Sequence, residues 1–322
     1  MRKTPFTTAL VAAALTLATA ATPVLAQDGI KIGLSVDQLF ESRVGVNNAI
    51  KAEAAERGYE LVEVVADGDA QAQNAQIQSL ITQEVDAILV CAVDQNTIER
   101  ALIAAGRADI PVVAYDRDLP DSRVVAAFVG PDSLADGREA GQYMAEALSG
   151  RDGPIVVLEL LGALNDQNGI DRSKGFNEAM AALPDLEIIQ APTDWDSARA
   201  LSATQNAFQA NPDIAGVFAA TDTQIPAIET VLTDLGKLKP AGEEGHVVVT
   251  GINGSPDGYR ATVSGTADGI VVMDLDTTGR TAVSLATSLL DGEEVERVNV
   301  IPGAFYTTDT IEASKDDIWG AR

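Results

Sequence analysis

Chemistry in this chain has to come from carboxylates and guanidinium groups, because the usual bases and nucleophiles are nearly absent. There are 48 acidic residues but one histidine, His246, and one cysteine, Cys91. A lone histidine excludes a multi-histidine metal site and the H-E-x-x-H arrangement. No G-x-S-x-G turn is present, and a Ser or Cys nucleophile would have only His246 to complete a triad. His246 precedes the apolar run Val247–Val249 and reads as a structural or exposed residue. Cys91 has no disulfide partner and reads as a small buried side chain. A G-x-x-x-x-G-K-[ST] loop is missing, and the first strand is not followed by G-x-G-x-x-G, so nothing points to a nucleotide. What remains is paired carboxylates. A glycosidase needs two, roughly 5 Å or roughly 6.5–9.5 Å apart. Asp116 and Asp222 can be cast in those roles, but no spacing separates them from the other acidic residues.

The elements that must position such residues form a rhythm of short β-branched runs and amphipathic segments. Strands are predicted over 30–36, 60–65, 87–91, 112–115 and 124–129, then over 155–160, 186–190, 216–219, 247–251 and 269–273. Helical segments fall between them at 43–57, 70–83, 97–106 and 134–148. Val46, Ile50 and Ala54 recur every fourth residue and so share one helical face. This alternation predicts an α/β fold with two similar doubly wound parallel-sheet lobes. The run Ile88-Leu89-Val90 suits a strand buried on both faces. Ligands of such sheets sit beyond the carboxyl ends of the strands. That places Asp37-Gln38, 92–95, Asp116-Arg117, 161–168, Thr221-Asp222 and Asn253 where a site should form. Gly130-Pro131 and Pro302-Gly303 read as turns.

The ends and the charge bound the setting. Arg2 and Lys3, a small-apolar run over 9–21 and Val24-Leu25-Ala26 form the three-part pattern of a secretory signal peptide cut after Ala26. No cysteine follows the cut to carry a lipid, so the expected location is periplasmic. The formal net charge is −26, and it grows by two once Arg2 and Lys3 are removed. Such a field repels phosphate backbones, which argues against nucleic-acid binding.

Several stretches together resemble the periplasmic sugar-binding proteins of the ribose-binding type. They are Ile30-Lys31-Ile32-Gly33, 53–59, 85–90, 110–117, Asp171-Arg172-Ser173-Lys174-Gly175-Phe176, Asp194-Trp195-Asp196, 217–222 and Asn253-Gly254-Ser255-Pro256-Asp257-Gly258. The order and spacing of these stretches cover nearly the whole chain after residue 26. The resemblance implies a three-crossing hinge near Gly130-Pro131, Met273-Asp274 and Pro302-Gly303. The expected lobes are residues 27–130 with 274–302, and 131–273 with 303–322. It also implies a sugar or polyol clamped between the lobes. Asp116 and Arg117 match the family's acid–base pair, Arg172 its second clamp, Trp195 its aromatic platform, and Thr221 and Asp222 its polar pair. A carboxylate accepting from vicinal hydroxyls and a guanidinium donating to sugar oxygens suit that role, and an aromatic face buries sugar C–H groups.

The first loop, 36–43, departs from the ribose pattern of paired aromatics and looks more like the xylose-binding branch. Gln38, Phe40, Glu41 and Arg43 are its expected contacts. Asn168 joins the set, as do Asn253, where relatives commonly carry Asp, and Met273, where they often carry Gln. Thr221 replaces a frequent Asn. The implied role is a monomeric, non-enzymatic solute-binding component that passes a neutral monosaccharide or sugar alcohol to the permease and ATPase of an ABC importer. It involves no cofactor and no metal. An exported carbohydrate-active enzyme and a ligand presenter to a chemoreceptor are the alternatives. A transcriptional regulator with the same core would need a DNA-binding helix-turn-helix and a basic surface.

Overall fold

The computed structural model describes residues 29–151 and 153–322. The expected signal segment and its cut after Ala26 lie outside the described residues. The first lobe is built from β1 (Lys31–Val36), α1 (Glu41–Glu56), β2 (Glu60–Val65), α2 (Ala70–Thr82), β3 (Ala87–Val90), α3 (Glu99–Arg107), β4 (Val112–Tyr115) and β5 (Val125–Pro131). The chain then enters the second lobe with α4 (Ser133–Leu148), β6 (Ile155–Leu161), α5 (Gln167–Met180), β7 (Leu186–Pro192) and α6 (Ser197–Ala210). It continues there through β8 (Gly216–Ala219), α7 (Ile225–Asp234), β9 (Val248–Asn253), α8 (Pro256–Ser264) and β10 (Gly269–Val272). Next, α9 (Leu275–Leu290) packs on α1 and β4, and β11 (Val298–Ile301) joins the first sheet. Finally β12 (Ala304–Thr307) pairs with β10, followed by short 3₁₀ turns at Lys315–Asp317 and Trp319–Ala321.

Each lobe holds one six-stranded sheet, in the orders β11-β5-β4-β3-β1-β2 and β12-β10-β9-β8-β6-β7. All pairings are parallel except β10 with β12. The expected two-lobed, doubly wound α/β architecture is what the chain adopts. The inner strands β3, β4, β8 and β10 are buried at every residue, as parallel strands covered by helices on both faces must be. Their alternate side chains feed separate cores: Leu89, Val113 and Tyr115 on one face of the first sheet, Ile88, Val90 and Val112 on the other. Val46, Ile50 and Ala54 of α1 are buried together, as their spacing predicts. Among the described residues no helix is long and apolar enough to cross a membrane.

Two local expectations change. Gly130-Pro131 does not form a turn; the pair completes β5, in register with Val300 and Ile301 of β11. Pro131 is tolerated because the ladder ends there, so no amide is missed. The strands β11 and β12 were not anticipated. Each is four residues long, lies at a sheet edge and is only half-buried, so neither carries the apolar run that marks an inner strand.

Candidate functional site

The strand ends of the two lobes face each other across a cleft of about 590 Å³, within the roughly 300–1,000 Å³ typical of small-molecule sites. Several helices open at this cleft with a capped first turn. Asp166 accepts from the Asn168 amide and Asp196 from the Arg199 amide, at 3.0 and 2.8 Å. Each cap contributes about 1 kcal/mol to its helix and leaves the rest of the side chain at the cleft.

The floor on the first-lobe side is a chain of buried ion pairs. Arg43 Nε donates to Asp37 Oδ1 at 2.7 Å, and its Nη1 pairs with Asp116 Oδ2. Arg117 Nη1 stands 3.0 Å from Asp37 Oδ2, off the angle of a hydrogen bond, and donates to the Ala92 carbonyl at 3.0 Å. Arg117 Nε reaches across to the second lobe, 2.8 Å from Asp166 Oδ2. The same oxygen accepts from the indole Nε1 of Trp195 at 3.1 Å. Asn168 Nδ2 adds a second bridge between the lobes, donating to the Asp116 carbonyl at 3.0 Å.

Burial opposes every charge in this chain, and the partners decide the outcome. Burial raises the Asp37 carboxyl, but Arg43 and Arg117 outweigh it and hold the group below the usual carboxylate range. Burial works against the charge on Arg43 too, and Asp116 and Asp37 drive its pKa well above normal. Asp166 has less support: burial dominates and pushes it up despite Arg117.

Arg172, on α5, is buried in a different way. It donates to the Ala220 carbonyl at 2.7 Å and to Met273 Sδ at 3.2 Å, and it lies over the Trp195 ring, 5.8 Å from the centroid. No carboxylate oxygen lies within ion-pair distance of it among the described residues, and its Nε has no hydrogen-bond partner. Burial lowers its pKa, partly offset by Asp136. Trp195 is held by packing on Gly162 and Gly169. Asn253 Nδ2 donates to Thr221 Oγ1 at 2.9 Å. Asp116, Trp195 and Asn253 all take positive φ, at 62°, 65° and 134°. Such values cost of order 1–3 kcal/mol each and concentrate at ligand sites.

The structure brings nearly all the expected contacts together: Gln38, Phe40, Glu41, Arg43, Asp116, Arg117, Asn168, Arg172, Trp195, Thr221, Asn253 and Met273 line the cleft. Asp222 is the exception and is corrected here. It is fully buried, and its Oδ2 accepts from the Gly254 and Ser255 amides at 2.7 and 2.9 Å, fixing the turn between β9 and α8. Asp37, Asp166, Asp194, Asp257 and Trp319 also belong to the site or its floor; the first two fall in stretches expected near the site, but none of the five was expected as a ligand contact. Asp166 had a visible signal, an acidic N-cap directly after a strand. Trp319 had none, since only the fold carries residue 319 to the cleft. His246 lies elsewhere, held between the Lys239 carbonyl and Asp268. Cys91 is buried, and burial pushes its thiol well up, which makes it a poor nucleophile.

Comparison with known proteins agrees with this geometry. The family model described as periplasmic binding protein domain matches residues 35–294. The chain is 29% identical to the ribose import binding protein of Escherichia coli over 89% of this chain and 93% of that one. It is 30% identical to the xylitol-binding protein of Mycolicibacterium smegmatis, over 90% of this chain and 81% of that one. A solved ABC transporter solute-binding protein from Mycobacterium smegmatis, with bound glycerol, superposes with a TM-score of 0.81 at 30% identity, covering 88% of this chain and 96% of that chain.

Proposed function

Because the chain belongs to the periplasmic binding protein family, we propose that it captures a neutral monosaccharide or sugar alcohol between its lobes and presents it to the permease and ATPase of an ABC importer. The observation that carries this reading is the cleft itself. Hydrogen-bonding side chains from both lobes converge there beside the indole of Trp195. A ligand touching both lobes favours the closed arrangement by its differential affinity for it.

The charge balance supports a neutral ligand. Arg43 and Arg117 are already paired with Asp37, Asp116 and Asp166. Glu41, Asp194, Asp196 and Asp257 add further negative charge to the lining. Polyhydroxyl compounds suit such a wall, because each hydroxyl both donates and accepts. Binding, not turnover, is the reading for the same reason. Asp222 lies buried against backbone amides outside the cleft, and Asp116 is paired with Arg43, so the carboxylate pair considered for glycoside hydrolysis does not converge on a substrate. Export with a cut after Ala26, a periplasmic location and a monomeric state complete the proposal.

The test is a thermal-shift screen of residues 27–322 against pentoses, hexoses, tetritols, pentitols and inositols. A ligand at 100 times its Kd stabilises by about 2.7 kcal/mol, a shift of a few degrees. One clear stabiliser is expected, and Asp116→Ala and Trp195→Ala should each weaken it about thirtyfold, about 2 kcal/mol. A flat response to every compound would overturn the carbohydrate reading, and wild-type affinity in both variants would overturn the site.

A further inference from the structure

Both tryptophans of the chain line the same cleft, although 124 residues separate Trp195 from Trp319 in the sequence. Trp195 stands over the end of β6, packed on Gly162 and Gly169. Trp319 stands over the end of β9, its Nε1 donating to the Asn253 carbonyl at 2.8 Å. Only β8 lies between β6 and β9, so the two strand ends beneath these rings are about 10 Å apart across the sheet.

Trp319 is also fixed from behind. Gly320 donates its amide to the Gly254 carbonyl at 3.1 Å and packs so closely on Gly254 and Ser255 that a Cβ would overlap their backbone. Ile318 and Ile311 anchor the same segment in the second-lobe core. The indole itself packs against the core clusters of both lobes, which puts it where the chain crosses between them. A half-buried ring pinned at its N–H, seated on a tight backbone and reaching a polar cleft is placed to contact what the cleft holds.

From this we infer that Trp319 is the second aromatic wall of the binding site and sets the length of ligand that fits, closing the hinge end opposite Trp195. The inference rests on the proposed binding of a sugar or polyol and adds a size limit to it: a cleft walled by an indole at each end takes one monosaccharide or a short polyol chain and excludes longer ligands.

The experiment titrates wild type, Trp319→Ala and Trp319→Phe with the best ligand of the screen and with its homologue one carbon longer, reading affinity by calorimetry. Trp319→Ala is expected to shift the preference at least tenfold toward the longer homologue. Trp319→Phe, which keeps an aromatic packing unit and protects the fold, should shift it the same way by about threefold. Equal loss of affinity for both ligands, or an unchanged ratio in both variants, would show that Trp319 only supports the structure and would overturn the inference. Failure of the wild type to bind any sugar or polyol would instead strike at the underlying function, so the two outcomes stay distinct.

Discussion

Asp136 shows how much one buried side chain at the crossings can influence. It lies in the first turn of α4 and is almost fully buried, with one carboxyl oxygen unpaired. A Cβ on Gly303, at the crossing between β11 and β12, would come within 2.7 Å of its Oδ1. Burial raises its pKa from 3.8 to about 7, with Arg172 pulling the other way. The folded protein therefore keeps a proton that the unfolded chain releases near pH 4. The resulting stabilisation is complete below that pH and is lost as pH rises through about 7, by at most about 1.4 kcal/mol per unit. Asparagine in its place stays neutral throughout. Melting curves of Asp136→Asn and wild type, taken from pH 5 to pH 8, should show the variant gaining on the wild type as pH rises. A constant difference would show that Asp136 does not titrate in this window. At this scale the sequence was readable where a residue directly follows a strand, as with Asp116, Arg117 and Thr221. It misled at Asp222, because a residue at a strand end can point at the ligand or back at the next turn. One residue of offset decides which, and composition does not encode it.

Among the elements, the pair α4 and α5 decides where Arg172 sits. These helices cross in close contact at three glycines, Gly137, Gly141 and Gly175, the first and last being the tightest. A Cβ on Gly137 would overlap the Arg172 carbonyl, and one on Gly175 would overlap the Leu134 carbonyl. Backbone lies directly against backbone, so neither position has a flexible side chain that can yield. Gly137→Ala should cost at least about 2 kcal/mol of stability in a urea titration, at the upper part of the overpacking range. It should also weaken ligand binding, because the overlap falls on the backbone of Arg172 itself and a shift of α5 displaces its guanidinium from the cleft. Unchanged affinity alongside the lost stability would mean that α5 yields without moving the guanidinium. Most elements were legible from the sequence because the inner strands are apolar runs and the helices carry fourfold spacing. The edge strands β11 and β12 were not, since their pairing supplies what their side chains lack.

In the whole molecule the lobes are tied across the cleft by polar contacts at the strand ends. Arg117 with Asp166, Asn168 with the Asp116 carbonyl, and Asn165 with Asp94 at 2.9 Å all span from one lobe to the other. Such ties favour closure without fixing it, which suits a hinge. Asp166→Ala removes the one ion pair among them and should leave the ligand-free molecule more open, with a larger radius of gyration in solution scattering that saturating ligand restores. Equal radii for variant and wild type without ligand would assign no closing role to this pair.

The return of α9 and β11 to the first sheet has a consequence in time as well as space. Leu275, Ala282, Val283 and Ala286 of α9 complete the core that Ile32, Leu34 and Leu89 begin. A ribosome releases the chain from its amino end, so the first lobe waits for nearly the last residues before it can close its own interior. Contacts so distant in sequence form slowly, and the nascent polypeptide stays unlocked until most of it has been made. Lateness of the first lobe's closure is thus written into the connectivity, because its interior cannot be sealed before α9 has been made.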